Sequence, residues 1–579
     1  MADFTRSDAK KPQTLSIDSF RGINLFSPVN GESTNMKNFK VMPDLKLKKR
    51  AGTKLLSEFG DTVRGAWYGR FINEDYALYV CAGTQIVKYI SGTDSKIVIG
   101  NINGTSSGHV NIFYAYSRLY FLDGQDFYIY NGVEFKPVES YIPLMYDNLS
   151  TGGSSSRNVE APNLLTDIYI SRYKPFSDSD MTFVHRHAVR GVAKVVLNGV
   201  DLTNDFNVTV DPATNYVTVS YKYARLPNTG YVELHCIGMT DSRRDEIFSA
   251  RYHAIFGDHQ LPRLFVYGGT VKNQIYYTEK LDTREAMYVL AGNSLTVGEE
   301  KNAVTSVIRQ FEDLMIFTEG DAWAIRDPVI EKDIAFNNMH YTYSLTMISS
   351  SIGNIGFDNV KSIENNLISI GSDGLYSWAI TKIFDERNVK FVSDKLYKGM
   401  SEEFIKNAFT FYNRSDGEIW LAYGGEVWIY NYKLDAWYYY DNIYTNGFLM
   451  TEDVTFYYGN KVYVFDENCC TDNGLPIEAV WESNYMDFDY PQYTKNISRM
   501  YLTVKDVCNI NTVKIKSDRD TEVVFADIKN DTDAPMTFRR RMNITRCGFI
   551  KMSLTDCNTE SRLTIMNIKF SWVRGSEGR

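Results

Sequence analysis

Few residues in this sequence combine types and spacing that bear on chemistry. His185 and His187 form a His-x-His step, which on a strand puts both imidazoles on one face. Zinc would need further ligands, and no Cys or Glu cluster lies nearby, so the pair is read as chance spacing. Asp178 and Asp180 offer two carboxylates to a cation loop, but no Gly-x5-Glu continuation follows and a plain turn is expected. In Ser-Asp-Gly at 372–374 and 415–417, Asp supports its own turn and Gly takes a positive φ. Glycoside hydrolysis needs two converging carboxylates, and a chain with 71 Asp and Glu locates no particular pair. No G-x-S-x-G, P-loop, H-E-x-x-H or G-x-G-x-x-G signature stands out. The aromatic runs 436–441 and 454–459 could stack sugars or bases, but packing between sheets is their expected role. The expectation is a protein with no catalytic, cofactor or metal site.

The elements that would position these residues are strands. The chain has 579 residues, too long for one core, with 41 Tyr and 33 Phe against 14 Pro, a bias toward pleated, half-buried surfaces. A short strand, a polar turn and a second strand of alternating aromatic character recur at 66–90, 110–132, 263–279, 304–328, 360–380 and 408–441, with a trailing piece at 447–467. Such recurrence predicts a β-propeller of about six blades, because a lone hairpin cannot bury its apolar face and stacked sheets can. The predicted order is an extended N-terminal docking arm at 1–53, blades one and two at 54–148, an inserted β-sandwich at 149–245, blades three to six with closure at 246–470, and a C-terminal β-sandwich at 471–579. The class is therefore all-β, with helix expected only at 281–290 and 394–408. If the trailing strands close the ring with N-terminal ones, removing 1–53 unfolds the propeller.

A net charge of −9 argues against general nucleic-acid binding. Residues 1–53 differ, with ten Lys or Arg and five Asp or Glu, a local net of +5. They read either as a solvated arm or as a docking segment for an acidic partner, with Arg21, Lys46, Lys48, Lys49 and Arg50 as its contacts. The seven Cys are scattered and odd in number, which suits reduced thiols in a protein made in a cytoplasm. No apolar run is long enough to span a membrane, and the first residues lack the apolar core of a signal peptide.

Phe-Arg-Gly-Ile-Asn at 20–24 is followed by Asn-Met-Lys-Asn at 35–38 and Arg-Ala-Gly at 50–52. This opening, with the propeller run, the inserted sandwich and the terminal sandwich, resembles the tail nozzle or hub proteins of short-tailed phages (podoviruses), also called head–tail stabilisation or tubular protein B. The resemblance implies a virion tail protein assembled in the host cytoplasm, a ring of typically six copies beneath portal and adaptor proteins. The ring would continue the channel for double-stranded DNA, which passes without specific binding, and would receive fibre or plug proteins below. Two rival functions follow from the same residues: a carbohydrate- or receptor-binding tail component using exposed aromatic loops, and a propeller-type glycosidase. The Ser-Asp-Gly turns loosely resemble the Asp boxes of sialidase-type propellers but lack the residue between Ser and Asp, and no arginine cluster with a Tyr/Glu pair can be placed.

Overall fold

The computed structural model of the chain describes residues 11–71, 74–103, 107–154, 157–228, 230–257, 262–279, 286–325, 329–333, 338–380, 387–396 and 399–577. The chain divides into two compact units, one of Met1–Val63, Tyr89–Ser95 and Asn359–Arg579, the other of Arg64–Lys88 and Lys96–Asp358. The fold is all-β and propeller-like, with two β-sandwich modules.

The second unit is built around four-stranded antiparallel sheets spanning 63–101 (less Val63 and Tyr89–Ser95), 111–137, 252–296 and 304–349. Their central strands are apolar without alternation. Every residue of Ala77–Ala82, Phe127–Tyr130 and Arg263–Tyr267 is buried, as expected of sheets covered on both faces. Aromatic rings fill the gap between the first two sheets. Trp67 stacks on Tyr114 with centroids 5.6 Å apart, and Phe71 stands edge-on to Tyr79, Tyr114 and Tyr130. The sheets approach so closely at Gly65 that a Cβ there would lie 2.0 Å from the Val110 carbonyl oxygen.

Between the second and third sheets sits the inserted sandwich. One of its sheets contains Leu144–Leu149, Ile168–Tyr173, Gly191–Leu197 and Val232–Ile237; the other contains Thr182–His185, Phe206–Val210 and Val217–Tyr221. Tyr173, Phe183, Val195, Val217, Val219 and Leu234 fill the space between them.

The first unit has blade-type meanders at 361–391, 409–443 and 447–466. The last supplies three strands, and its fourth is Gly52–Glu58, paired antiparallel with Lys461–Asp466. Among the described residues this makes seven four-stranded blade-type sheets across the two units, six at the recurring units and a seventh from the trailing piece. The seventh pairs the trailing strands with an N-terminal one, its fourth strand lying some four hundred residues upstream of the other three.

The N-terminal docking arm needs a larger correction, since residues 13–58 are not a free extension. Gln13–Ile17, Phe39–Val41 and Leu47–Lys49 join Tyr493–Lys505, Met536–Cys547 and Thr564–Glu577 in one sheet of the C-terminal sandwich. Ser33–Lys37 joins the other sheet, beside Ala479–Ser483, and forms a parallel bridge from Lys37 to Tyr439 of the 409–443 meander. Phe20, Ile23, Met36, Phe39, Val41 and Leu47 are all buried. The segment lacks visible periodicity because its strands serve different sheets. Residues 1–10 lie outside the described residues.

The helix expectations also change. Of 281–290, residues 281–285 lie outside the described residues and 286–290 are not helical; Met287 bridges Ser140 and is buried. Within 394–408 a 3-10 turn at Asp394–Leu396 precedes a helix at Glu402–Asn407, capped by the Ser401 hydroxyl accepting from Phe404 N. A helix at Arg243–Phe248 was not anticipated.

Two positions test how the N-terminal segment is locked in. Gly22 has φ +80°, and a Cβ there would lie 2.4 Å from the Trp437 carbonyl oxygen, which accepts the Ile23 amide at 2.7 Å. Gly22→Ala is expected to cost about 3 kcal/mol through left-handed strain and the clash, read as a lower urea midpoint. Lys49 and Asp556 form a 2.8 Å ion pair with both side chains fully buried, and burial pushes the Asp556 carboxyl up against the opposing pull of Lys49. Lys49→Met should cost about 3–5 kcal/mol by stranding the carboxylate, and adding Asp556→Leu should restore most of it. A double-mutant cycle on unfolding midpoints checks this.

Candidate functional site

The five cations expected to form a docking surface do not act together. Lys49 and Arg50 are 0% and 1% exposed, so they contact the interior and not a partner. Arg50 Nε donates to Asn38 Oδ1 at 2.8 Å, and its guanidinium grips the Asp472 carboxylate. Lys46 is half-buried and donates to the Asp18 carbonyl oxygen at 2.9 Å, and Lys48 is half-buried on the same strand as Lys49. Of the five only Arg21 is exposed. Four of the segment's cations, Lys37, Lys40, Lys49 and Arg50, are met by carboxylates from far along the chain.

The same segment exposes something else. After Phe-Arg-Gly-Ile-Asn the chain makes the loop Leu25-Phe26-Ser27-Pro28-Val29, whose Leu25, Phe26 and Val29 are 40%, 75% and 50% exposed. Beneath it lie two buried polar side chains, Asn24 and Glu32. Asn24 Oδ1 accepts from the amides of Phe26 and Ser27 at 3.1 and 3.0 Å, while its Nδ2 donates to Glu32 Oε2 at 2.7 Å. Glu32 Oε2 also accepts the Val29 amide at 3.0 Å, and Lys395 Nζ stands 3.7 Å from Oε1. Leu25 N donates to the Lys395 carbonyl, and Asn484 Nδ2 holds the Pro28 carbonyl. The loop is thus braced at both ends while its apolar side chains are partly exposed. An ordered loop of this kind loses little conformational entropy when covered, which suits a contact surface. The sequence signal for it is the Asx-type Asn24 followed by an apolar run with Pro28.

The motifs weighed in the sequence have the following surroundings. His185 is buried in the inserted sandwich. Its Nε2 lies 2.8 Å from the Tyr169 hydroxyl and its Nδ1 lies 3.1 Å from the Tyr173 hydroxyl, which donates on to the Val184 carbonyl. A neutral ring accepting at Nε2 and donating from Nδ1 satisfies all three groups. His187 stacks on Tyr146 with centroids 4.1 Å apart. Asp180 accepts from the amides of Phe176 and Ser177, a turn rather than a cation loop, and Asp178 faces Arg225. Asp373 accepts from the Tyr376 hydroxyl, and Asp416 pairs with Lys40. Among the described residues no three His, Cys, Asp or Glu side chains come together to hold a metal ion. All seven cysteines are free, and burial pushes the thiols of Cys81 and Cys236 up to about 12. Among the described residues no helix is long and apolar enough to cross a membrane.

No family model matches the chain, and no curated protein matches it. Solved structures similar to it include the AfRom2 CNH domain, at 7% identity and a TM-score of 0.35 over 72% of this chain and 99% of that one. An exo-β-1,3-galactanase from Phanerochaete chrysosporium is similar at 9% identity and a TM-score of 0.19 over 80% and 95%. The WD40 domain of SCAP from fission yeast is similar at 6% identity and a TM-score of 0.20 over 88% and 99%. Likenesses at these scores carry no argument about activity, and the fold class rests on the sheet connectivity itself.

The buried histidine yields a pH prediction. Burial, with His187 adding to it, lowers the His185 pKa to about 3 from an ordinary 6.5. The folded state therefore binds this proton more weakly than the unfolded chain. The stability it contributes is full above pH 6.5 and is lost as pH falls toward 3, by about 5 kcal/mol in all. His185→Gln should be less stable at neutral pH but flatten this acid slope, as read from urea midpoints at several pH values.

Proposed function

We propose that this chain is a non-enzymatic structural subunit of a short-tailed phage tail, a nozzle or hub protein that assembles into a ring below portal and adaptor proteins. The observation that carries the reading is the braced apolar loop at 25–29. It lies in the segment whose Phe-Arg-Gly-Ile-Asn, Asn-Met-Lys-Asn and Arg-Ala-Gly steps resemble that family, and it is held by hydrogen bonds while Leu25, Phe26 and Val29 keep much of their surface exposed. In this reading a neighbouring copy covers Phe26 and Val29 in the ring.

Two further features suit a conduit. The N-terminal segment is woven by backbone pairing into the C-terminal sandwich and the 447–466 meander, which makes the unit resistant to fraying at that end. A net charge of −9 limits the release of DNA counterions on contact, so a duplex would pass without being held. Fibre or plug proteins below the ring belong to the same proposal.

Native mass measurement and electron microscopy of the purified full chain test it. The expected result is a closed ring, and Phe26→Asp should leave the melting temperature within about 2 °C, as for a surface change, while reducing the ring to monomers. A wild-type chain that stays monomeric at high concentration and is missing from purified virions would refute the reading.

A further inference from the structure

The two outer faces of the C-terminal sandwich treat charge in opposite ways. On the face made by Ala479–Ser483, Ile550–Asp556, Cys508–Ser517 and Glu522–Asn530, a cavity of about 480 Å³ is lined by Lys514, Lys516, Lys551 and their carboxylate partners. Lys514 pairs with Glu522 at 3.1 Å, Lys516 with Asp520 at 3.2 Å and Lys551 with Glu482 at 2.7 Å. Charge there is matched from within.

On the opposite face it is not. Tyr493–Lys505 and Met536–Cys547 contain no carboxylate. In their antiparallel register Arg499 stands opposite Arg541, and Tyr501 stands between Arg539 on one side and Lys569 of Thr564–Glu577 on the other. Arg499, Arg539 and Arg541 are exposed, whereas Met500, Leu502, Phe538 and Met542 between them point into the core. None of these three arginines has an ion-pair partner among the described residues, and Lys569 has only Asp18, at 3.8 Å. Like charges placed directly across a strand pair, about 5 Å apart, are destabilising. The next level is neutral and hydrogen-bonded, with Thr503 Oγ1 2.9 Å from Thr537 Oγ1 and donating to Asn567 Oδ1 at 3.0 Å.

We infer that this face binds an acidic, extended segment of a partner protein, whose carboxylates lie between Arg499, Arg541, Arg539 and Lys569 and whose backbone crosses Tyr501. Charge complementarity selects the sign of the partner, and three features select its class. Arginine forks take carboxylates two-pronged, and Arg with Tyr is the composition of contact centres in protein interfaces. The patch is compact, three strands wide at a spacing of about 4.8 Å and two side-chain levels deep. A duplex needs a longer stripe of cations than this patch presents. Finally, Met536–Cys547 is the last strand of its sheet, so Arg539 and Arg541 border an open edge along which an extended segment can run.

The test uses the full chain and two labelled probes, a peptide of roughly twelve residues alternating Glu and Ser and a duplex of roughly thirty base pairs, in fluorescence anisotropy at about 50 and 200 mM salt. The peptide should bind and weaken with salt. Arg499→Gln/Arg541→Gln should lose about tenfold in affinity without a lower melting temperature, since it removes a repulsive pair. Lys514→Gln/Lys516→Gln, on the matched face, should bind like wild type. The inference is overturned if the peptide does not bind at the lower salt, if the arginine variant binds it equally, or if the duplex binds more tightly than the peptide. It is also overturned if sedimentation shows wild-type copies associating through this face and the variant failing to, which would make the occupant a second copy.

Discussion

The first unit depends on the burial of one guanidinium. Arg50 is almost wholly out of water, so every N–H it carries needs an acceptor; Asn38 and the neighbouring Ala51 carbonyl supply local ones, and the Asp441 carbonyl and the Asp472 carboxylate come from remote parts of the chain. Tyr440 lies under its face at 5.5 Å. Asn38, held at φ +57°, extends the knot by donating to Asp441 Oδ1 and the Glu478 carbonyl while accepting the Asp441 amide. The N-terminal segment, the 409–443 meander and the start of the C-terminal sandwich thereby meet around one charge. A group so costly to strand tolerates one arrangement of those pieces, which gives register to a segment with little strand periodicity of its own.

Two ways of filling a β interior operate in the molecule. The four-stranded sheets are buried on both faces, and aromatic rings such as Trp67, Phe71 and Tyr114 fill the gaps between them with edge and stacked contacts. The sandwich modules instead alternate, one side inward and one outward, as in Ile550–Asp556 with its strict buried and half-buried succession. Because a sandwich has outer faces and a two-side-buried sheet does not, the C-terminal sandwich is where exposed charge patterns appear, matched on one face and unmatched on the other.

Much of the architecture was legible in the sequence for this reason. Continuous aromatic strands with Gly or Asp turns announce sheets buried on both sides, and the alternating runs after 190 and after 476 announce sandwiches. Less legible were features that depend on pairing across long separations. The strand Gly52–Glu58 looks like the end of a basic segment until Lys461–Asp466 is beside it. The short helix Arg243–Phe248 and the non-helical 286–290 went astray because a few residues carry too little periodicity to outweigh tertiary packing.

By itself the sequence determined the class of structure: strands, turns, the two kinds of sheet and the scarcity of helix, all set by local residue choice. It did not determine which charges face outward. Lys37, Lys40, Lys49 and Arg50 make the opening segment basic on paper, yet Asp441, Asp416, Asp556 and Asp472 meet them in space. Arg499, Arg541 and Lys569, scattered along the C-terminal third, become one unmatched patch only when their strands align. Side-chain pattern is a property of neighbours in sequence, whereas electrostatic compensation is a property of neighbours in space, and only the tertiary structure supplies those.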